Sequence, residues 1–280
     1  MRKLILMKMS TKKRRMKKPN LITTQENIPS NEDLKIFKFV NPGTNLCFSN
    51  AVTTVILNIQ GIQEMLNGDF PTMNQNSVFK VLKALSQKPN NTTSSTKDLR
   101  RIVQEECLRN QQNTRRFDNN QQFDAAEFLC SFMEHMLSDH SYIVNNLFGK
   151  NQEIIFCMNT NCNTADPVPS NAVNIVMLPL VGSALLMCLD QYLTEHEIER
   201  DCPQVTAFTV DPETIIFQLL RFRYSEEHGA AIKIHDKIYV PTRINLPAGA
   251  LYEIVGTVNH YGQSADSGHY TASLYNNKKR

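Results

Sequence analysis

The order in which helical and strand patterns follow one another is the feature that most restricts the fold of this chain. In the first half, apolar residues recur at helical spacing in four segments: 47–59, 77–85, 96–108 and 125–137. From about residue 147 onward, short apolar runs typical of strands take over, with one helical interruption near 183–193. A block of helices followed by a block of strands predicts an α+β protein, in which a helical lobe packs against an antiparallel sheet.

Most of the second half is predicted to form strands. The segments are 153–157, 173–178, 214–222, 237–240, 251–258 and 269–275. The last two are separated by a polar, glycine-containing connection over residues 259–268. The first 36 residues lack such periodicity and contain two prolines among many polar residues. We therefore predict a basic disordered tail over 1–36 and an ordered domain over 37–280.

The basic charge of the chain is concentrated at its N-terminus. Residues 1–18 hold nine Lys or Arg and no acid, which leaves 21 basic and 27 acidic residues in the remainder. The run Lys12–Arg15 fits either a nuclear import patch, a weak nucleic-acid contact or a solvated tail. The acidic remainder argues against nucleic acid as the main partner of the domain.

Composition also restricts the compartment. No apolar run is long enough for a membrane span, and the N-terminal apolar run is too short for a secretory signal. The seven cysteines are unevenly spaced and do not form a disulfide framework. These features predict a monomer in a reducing compartment, the cytoplasm or the nucleus, and argue against a secreted papain-type protease.

Two distant residues, Cys47 and His269, carry the chemistry that the pattern suggests. Cys47 follows a loop rich in Gly, Pro and Asn and begins a helical pattern, so the helix dipole favours its nucleophilic thiolate form. His269 follows Gly268, where backbone can approach closely. Alternatively, Cys47 is a small buried residue and His269 a structural histidine. An early Cys and a late His, brought together by the fold, are the arrangement expected of a cysteine protease.

Four segments, in this order, resemble the conserved boxes of the ubiquitin-specific proteases. They are Cys47–Ala51, Gln121–Leu129, Ile216–Phe222 and the region from Tyr252 to Ala272. The resemblance covers about 37–280, which is the whole predicted ordered domain. It implies the papain-like α+β fold of that family, with a helical thumb lobe packed on an antiparallel β palm lobe and with reduced fingers.

The resemblance implies specific catalytic roles. Cys47 is the nucleophile that attacks the carbonyl after the C-terminal Gly-Gly of ubiquitin, and His269 is the general base that later protonates the leaving amine. The family supplies an oxyanion-hole amide five residues before the cysteine, where this chain has Pro42. Asn41, six residues before, is the first candidate and Asn45 the second, with backbone N–H groups alone as the third possibility.

Three further positions match the family's ubiquitin-binding residues. Asp124 matches the acid that grips the arginine-bearing tail of ubiquitin, and it also resembles the N-cap of a capping box with Glu127. Both roles are compatible. Phe123 departs from the family pattern, in which Gln and Asp are adjacent. His260 and Tyr270 are predicted to line the channel for the tail.

The family's zinc ribbon is incomplete in this chain. Cys157 and Cys162 form a wider pair than usual, and only Cys202 remains of the second pair. Three thiolates at imperfect spacing fall short of a closed tetrahedral site. We therefore expect neither a metal nor another cofactor.

The family's third catalytic residue, an Asp or Asn that orients the imidazole, is not found. It normally lies on the strand after His269, but the sequence ends eleven residues later, at Arg280, and Asn276 and Asn277 fall where a turn is expected. A histidine without this partner has less control over its ring position and tautomer. We expect a domain that is short at its C-terminus.

Taken together, the sequence predicts a cysteine-type deubiquitinating peptidase. It would hydrolyse peptide or isopeptide bonds at the C-terminal glycine of ubiquitin through a Cys47 acyl-enzyme, with ubiquitin or ubiquitinated proteins as partners. One alternative is a pseudo-enzyme that binds ubiquitin but turns over poorly. The other is a protease of the same fold that acts on a ubiquitin-like modifier.

Overall fold

The computed structural model describes most of the predicted domain and one N-terminal strand. The described residues are 3–9, 37–41, 43, 45–68, 77–88, 95–109, 121–139, 148, 153–157, 165–167, 175–193, 204–208, 213–227, 229–246, 250–263 and 267–275. Residues 10–36 of the predicted tail, with its basic run Lys12–Arg15, lie outside the described residues. The same holds for several residues discussed above as metal ligands or as a third catalytic residue: Cys162, Cys202, Asn276 and Asn277.

Helices dominate the first half, as the periodicity predicts. The helices of the described residues are α1 (Cys47–Ile56), α2 (Gln60–Asn67), α3 (Ser77–Ser86), α4 (Lys97–Arg109), α5 (Ala125–Asp139) and α6 (Leu185–Leu193). Only α2 was not predicted as a separate helix. It begins after a break at Leu57–Ile59, where the helical hydrogen bonds of α1 end and the backbone of Ile59 is extended.

The strands fall in the second half, with one exception at the N-terminus. They are β1 (Lys3–Met9), β2 (Glu153–Cys157), β3 (Ala165–Pro167), β4 (Ile175–Pro179), β5 (Gln204–Phe208), β6 (Thr214–Leu220), β7 (Phe222–Ser225), β8 (Ala230–Lys233), β9 (Arg243–Asn245), β10 (Leu251–Tyr261) and β11 (His269–Leu274).

The largest sheet has the strand order β11-β10-β1-β6-β4, and β9 also pairs with β10. Its pairings are antiparallel, as predicted, except at one edge, where β4 and β6 run parallel. The parallel pair is possible because α6 and β5 separate the two strands in sequence. A three-stranded sheet, β3-β2-β5, and the β7–β8 hairpin complete the described sheets.

The N-terminal strand is the main correction to the sequence analysis. The prediction of disorder over 1–36 is wrong for Lys3–Met9, which form β1 in the middle of the main sheet, between β10 and β6. Its apolar run, Leu4 to Met7, is short and flanked by lysines, and its strand partners lie more than 200 residues away. A strand defined by such distant partners has little local signal.

Two other strand predictions also changed. The predicted strand 214–222 is broken at Arg221 into β6 and β7. Residues 237–240 form no strand and make only a single bridge, between Tyr239 and Ala184. The predicted strand there was wrong because Tyr239 is the one residue of this run that pairs within the described part of the chain, and a ladder requires consecutive paired residues.

The main sheet separates two apolar cores. Alternate residues of β6 face opposite sides: Ile216 belongs to the core under α1–α5, whereas Ile215 and Phe217 belong to the core under α6. Covering both faces explains why β6 is an almost continuous apolar run. The helical lobe therefore packs on one face of the sheet, and this packing positions α1 against β11.

Candidate active site

Cys47 is the first residue of α1 and is buried, with 4% of its surface exposed. The loop before it is held by its own hydrogen bonds: Gly43 N–H donates to the Asn41 carbonyl (2.8 Å), and Leu46 N–H donates to Asn41 Oδ1 (3.2 Å). Leu46, at the N-cap position, provides no side-chain cap. The positive end of the helix dipole therefore lies at Cys47 without a capping oxygen in competition.

A buried hydroxyl and amide network fixes the first turn of α1. The hydroxyls of Ser49 and Thr96 lie 2.7 Å apart, and Thr96 Oγ1 donates to Asn50 Oδ1 at 2.6 Å. Asn50 Nδ2 donates in turn to the Val40 carbonyl at 3.3 Å. Thr96 precedes α4, so this network joins the start of α4, the start of α1 and the chain that enters the catalytic loop.

Close packing at Gly256 brings α1 alongside the last two strands. A Cβ atom at Gly256 would lie 2.8 Å from Val55 Cγ1 and 3.0 Å from the Ser273 carbonyl, so only glycine allows this approach. Gly256 pairs with Leu274. Cys47 lies eight residues before Val55, about 12 Å along the helix, and Tyr270 lies four residues before Leu274, about 13 Å along the strand.

The helix and the strand therefore start at the same end of the molecule. Cys47 and Tyr270 also belong to one apolar cluster, and the charge of Cys47 raises the pKa of Tyr270, which places the two side chains near each other. His269, the residue before Tyr270, is the first residue of β11, and its side chain is exposed. The early cysteine and the late histidine thus begin their elements at the same end of the molecule.

Gly268 shapes the backbone directly before His269. Its φ of +149° lies in a region that residues with a Cβ rarely adopt, and a Cβ there would overlap the Tyr261 carbonyl and His260 Nε2. Within the described part of the chain, no side chain forms a hydrogen bond with the His269 imidazole. The position of the imidazole therefore depends on its backbone.

Asp124 stands at the start of α5 and serves as its N-cap. Its Oδ1 accepts hydrogen bonds from Ala126 N–H (2.7 Å) and Glu127 N–H (3.3 Å), which confirms the capping interpretation of the sequence pattern. Burial and the charges of Asp124 and Cys47 raise the pKa of Tyr270 well above its usual range. The phenol stays protonated and accepts a hydrogen bond from Ala125 N–H at 3.4 Å.

His260 lies beside Tyr270, with their ring centres 4.8 Å apart. Lys233 Nζ donates to His260 Nδ1 (3.1 Å) and to the carbonyls of His260 (3.2 Å) and Gly262 (2.7 Å). Burial and the charge of Lys233 lower the pKa of His260 to about 4, and the Asp124 carboxylate opposes this in part. His260 is therefore neutral near pH 7, with its proton on Nε2.

Arg221, the arginine of the predicted Ile216–Phe222 box, holds the chain that directly follows Lys233. Its guanidinium donates to the carbonyls of Ile234 (3.2 Å) and Asp236 (2.8 Å), which follow β8. Burial lowers the pKa of Arg221. Arg221 thus fixes the strand that carries Lys233, and Lys233 fixes the end of β10 next to the histidine strand.

Two residues of the site were missed by sequence reasoning. Lys233 had no sequence signal, because a lysine at the end of a short strand is ordinary. Gln122 belongs to the Gln121–Leu129 box but was given no role, and its side-chain Nε2 donates to the Gly268 carbonyl. The predicted site residues all lie at the ends of elements or in loops of this region: Asn41, Asn45, Cys47, Asp124, His260, His269 and Tyr270. Their catalytic and ubiquitin-binding roles remain predictions.

The structure gives no support for a metal centre in the part that it describes. No group of three or more His, Cys, Asp or Glu side chains there could hold a metal ion, and Cys157 is described only by its backbone. No helix in the described ranges combines the length and the apolar character that a membrane span requires.

Comparison with known proteins identifies the family. Residues 37–280 match the family described as ubiquitin carboxyl-terminal hydrolase. The chain therefore belongs to the ubiquitin carboxyl-terminal hydrolase family, and its predicted family membership is confirmed.

Curated relatives support the same assignment over shorter stretches. The chain is 26% identical over 186 residues to ubiquitin carboxyl-terminal hydrolase 48 of Danio rerio, covering 56% of this chain and 18% of the relative. It is 33% identical over 67 residues to ubiquitin carboxyl-terminal hydrolase 13 of Saccharomyces cerevisiae, covering 22% of this chain and 9% of the relative. The matches span less than a fifth of the length of these relatives.

Solved structures confirm the fold. A chain of the SAGA Ubp8/Sgf11/Sus1/Sgf73 DUB module bound to ubiquitin aldehyde is similar, with a TM-score of 0.67 and 17% identity, over 90% of this chain and 65% of that one. A chain of the same module bound to monoubiquitin has a TM-score of 0.68 and 16% identity, over 91% of this chain and 64% of that one. The predicted α+β, papain-like fold is confirmed.

Proposed function

We propose that this chain is a deubiquitinating cysteine peptidase that hydrolyses peptide or isopeptide bonds at the C-terminal glycine of ubiquitin. The observation that carries the proposal is the common end of α1 and β11, where Cys47 and His269 begin their elements. Family membership supplies the reaction class, and the solved relatives named as bound to ubiquitin supply the substrate class.

The reaction proceeds through a thioester. The Cys47 thiolate attacks the carbonyl carbon of the terminal glycine, and the carbonyl electrons move to the oxygen. The tetrahedral intermediate collapses with cleavage of the C–N bond as the His269 imidazolium gives its proton to the leaving amine. Water then attacks the thioester, His269 accepts its proton, and the collapse releases the carboxylate of ubiquitin and regenerates Cys47.

Asn41 is well prepared to stabilise the oxyanion. Because its Oδ1 accepts the Leu46 N–H, the amide is oriented and its Nδ2 remains available as a donor. Such fixed donors stabilise developing charge without rearrangement during the reaction. Asn45, the second candidate, has a positive φ of 52° and shapes the loop through its backbone.

The polar groups around Tyr270 form the channel for the ubiquitin tail. Asp124 supplies a carboxylate for the arginines of that tail, in addition to its capping role. His260 is neutral, so it adds no positive charge that would repel those arginines. Tyr270 is 2% exposed and gives the channel an apolar wall.

The test uses ubiquitin with a thiol-reactive group at its C-terminus. We expect the wild-type chain to form a covalent adduct and Cys47→Ala to form none, whereas Cys130→Ala, at a half-buried cysteine on α5, reacts normally. Hydrolysis of a fluorogenic ubiquitin amide then measures turnover. Absence of an adduct with the wild-type chain would contradict the proposal.

One observation favours a second candidate, a ubiquitin-binding protein with weak turnover. No side chain of the described residues orients the His269 imidazole, and a histidine without such a partner is a poorer base. The same two assays distinguish the candidates. Adduct formation with little hydrolysis, or ubiquitin binding without an adduct, supports the pseudo-enzyme. Preferential reaction with a probe made from a ubiquitin-like modifier supports the alternative that such a modifier is the substrate.

A further inference from the structure

The segment before α5 contacts the histidine strand on both sides of His269. Gln122 Nε2 donates a hydrogen bond to the carbonyl of Gly268, the residue before the histidine. Ala125 N–H donates to the hydroxyl of Tyr270, the residue after it, at 3.4 Å. We name residues Gln122 to Ala125 the clasp, because they hold β11 at two points that enclose His269.

The clasp also contacts the helix that carries the nucleophile. The ring of Phe123 packs edge-on against Phe48, with centroids 5.8 Å apart, and Phe48 directly follows Cys47. Asp124 fixes the clasp to α5 through its two capping hydrogen bonds. One short segment therefore connects the start of α1 with the start of β11.

The backbone at Gly268 requires such a restraint. Glycine has the greatest conformational freedom, and its φ of +149° is held only by its surroundings. The imidazole of His269 is exposed and receives no hydrogen bond from another described side chain. A rotation at Gly268 would therefore move the imidazole directly. The pairing of His269 with Tyr261 restrains the chain after Gly268, and the Gln122 hydrogen bond restrains the Gly268 carbonyl itself.

The chemistry of Gln122 indicates that its donor is what matters. Its Oε1 is shielded from solvent and has no hydrogen-bond partner among the described residues. A shielded acceptor without a partner is unfavourable, so an apolar side chain would fill the space at lower cost. What glutamine adds is the N–H group that reaches the Gly268 carbonyl.

We propose that Gln122 is a positioning residue for His269, which acts by restraining the Gly268 carbonyl and hence the imidazole relative to Cys47. This inference rests on the proposed peptidase function for its kinetic consequence. Its structural part, the restraint of residues 267–270, does not depend on that function.

The kinetic test compares Gln122→Ala with the wild type and with Gln121→Ala, an exposed neighbouring glutamine. Misplacement of a catalytic group by about 1 Å can reduce a rate by about 10²-fold. We expect Gln122→Ala to lower kcat for a fluorogenic ubiquitin amide at least tenfold with little change in KM, because the Gly268 contact positions a group that acts in the chemical step. Gln121→Ala should match the wild type.

A second variant, Gln122→Glu, separates positioning from a structural effect. Its carboxylate repels the Gly268 carbonyl at neutral pH, whereas a protonated carboxyl can donate a hydrogen bond to it. We expect the kcat of this variant, divided by the wild-type kcat at the same pH, to rise as the pH falls from 8 to 5.5. The charged and titratable side chains of this region, Asp124, Glu127, His260 and His269, are the same in both proteins, so this ratio removes their contribution. Gln122→Ala should show no such rise.

Hydrogen exchange tests the restraint without any substrate. We expect the amides of residues 267–270 to exchange faster in Gln122→Ala than in the wild type, with no change in β6. Faster exchange with an inactive wild type would keep the restraint and reject the peptidase function. An active wild type with unchanged kcat in both Gln122 variants, or an equal pH-independent loss in both, would overturn the positioning role.

Discussion

At the residue scale, the site depends on side chains that serve the backbone as well as the reaction. Asn41 fixes the catalytic loop through Oδ1, Asp124 caps α5, and Lys233 binds two carbonyls at the end of β10. Asn41 and Asp124 combine this structural role with the proposed contact to the oxyanion and to the ubiquitin tail, respectively. Substitutions that remove one role and keep the other separate the two.

Asn41 is expected to stabilise the oxyanion. We predict that Asn41→Ala lowers kcat by about 10²–10³-fold, the usual cost of losing one oxyanion donor. KM should change little, because the donor acts on charge that develops only in the transition state. Hydrolysis of fluorogenic ubiquitin measures both constants. Asn45→Gly keeps the positive φ and removes the second candidate amide, so a loss confined to that variant would assign the role to Asn45 instead.

Asp124 is expected to combine capping with recognition of the ubiquitin tail. Asp124→Asn keeps a capping oxygen and removes the charge, so we predict near wild-type stability together with a raised KM. Asp124→Ala removes both, and its loss of the cap should cost about 0.5–2 kcal/mol in the free energy of unfolding. Urea unfolding and steady-state kinetics measure the two effects. An unchanged KM in Asp124→Asn would leave Asp124 with the capping role alone.

At the scale of elements, the contact between α1 and the sheet sets the distance between the nucleophile helix and the histidine strand. Gly256 allows the helix to approach, and the clasp connects the two elements at the end where they begin. A substitution at Gly256, in the middle of this contact, should therefore shift α1 relative to β11, although it lies away from the residues proposed to bind substrate.

We predict that Gly256→Ala destabilises the protein by about 1–3 kcal/mol, because its Cβ meets the Val55 methyls and the Ser273 carbonyl. In a Val55→Ala background the same change should cost less, since the nearest clashing atoms are gone. Urea unfolding of the four proteins gives the coupling energy. Fully additive costs would show that Val55 is not what excludes a side chain at position 256.

At the scale of the whole molecule, the N-terminal strand unites the main sheet. Strand β1 pairs with β6 on one side and with β10 on the other. Strands β6 and β10 therefore do not pair with each other, and β1 connects them. The completely buried Met7 belongs to the core under α6. The sheet that carries His269 therefore includes residues before the family match, which begins at residue 37.

Met7→Ala is predicted to reduce the free energy of unfolding by about 2–5 kcal/mol, as for other fully buried apolar side chains. Met187→Ala is the matched control, because Met187 is about half exposed, and we expect a change within about 0.5 kcal/mol. Removal of residues 1–9 should abolish cooperative unfolding, since it leaves the facing edges of β6 and β10 without a partner and divides the main sheet. Equal stability of Met7→Ala and the wild type would remove β1 from the cooperative core.

The elements that sequence patterns predicted are those whose signals are local. The start of α1 at Cys47, the extent of α3 and α4, the cap at Asp124 and the strands at both ends of the histidine connection follow from periodicity, capping and turn chemistry. The order of the motifs was enough to predict the family and the α+β fold. Such signals depend on neighbours within a few residues and are therefore readable along the chain.

The features that depend on distant partners became visible in the folded structure alone. Strand β1, the parallel pairing of β4 with β6, the closeness allowed by Gly256, and the contacts of Gln122 and Lys233 with the histidine region join residues far apart in sequence. A short lysine-flanked apolar run, a glutamine and a lysine have no distinctive local pattern. Their roles come from long-range packing and hydrogen bonding, which exist only once the chain has folded.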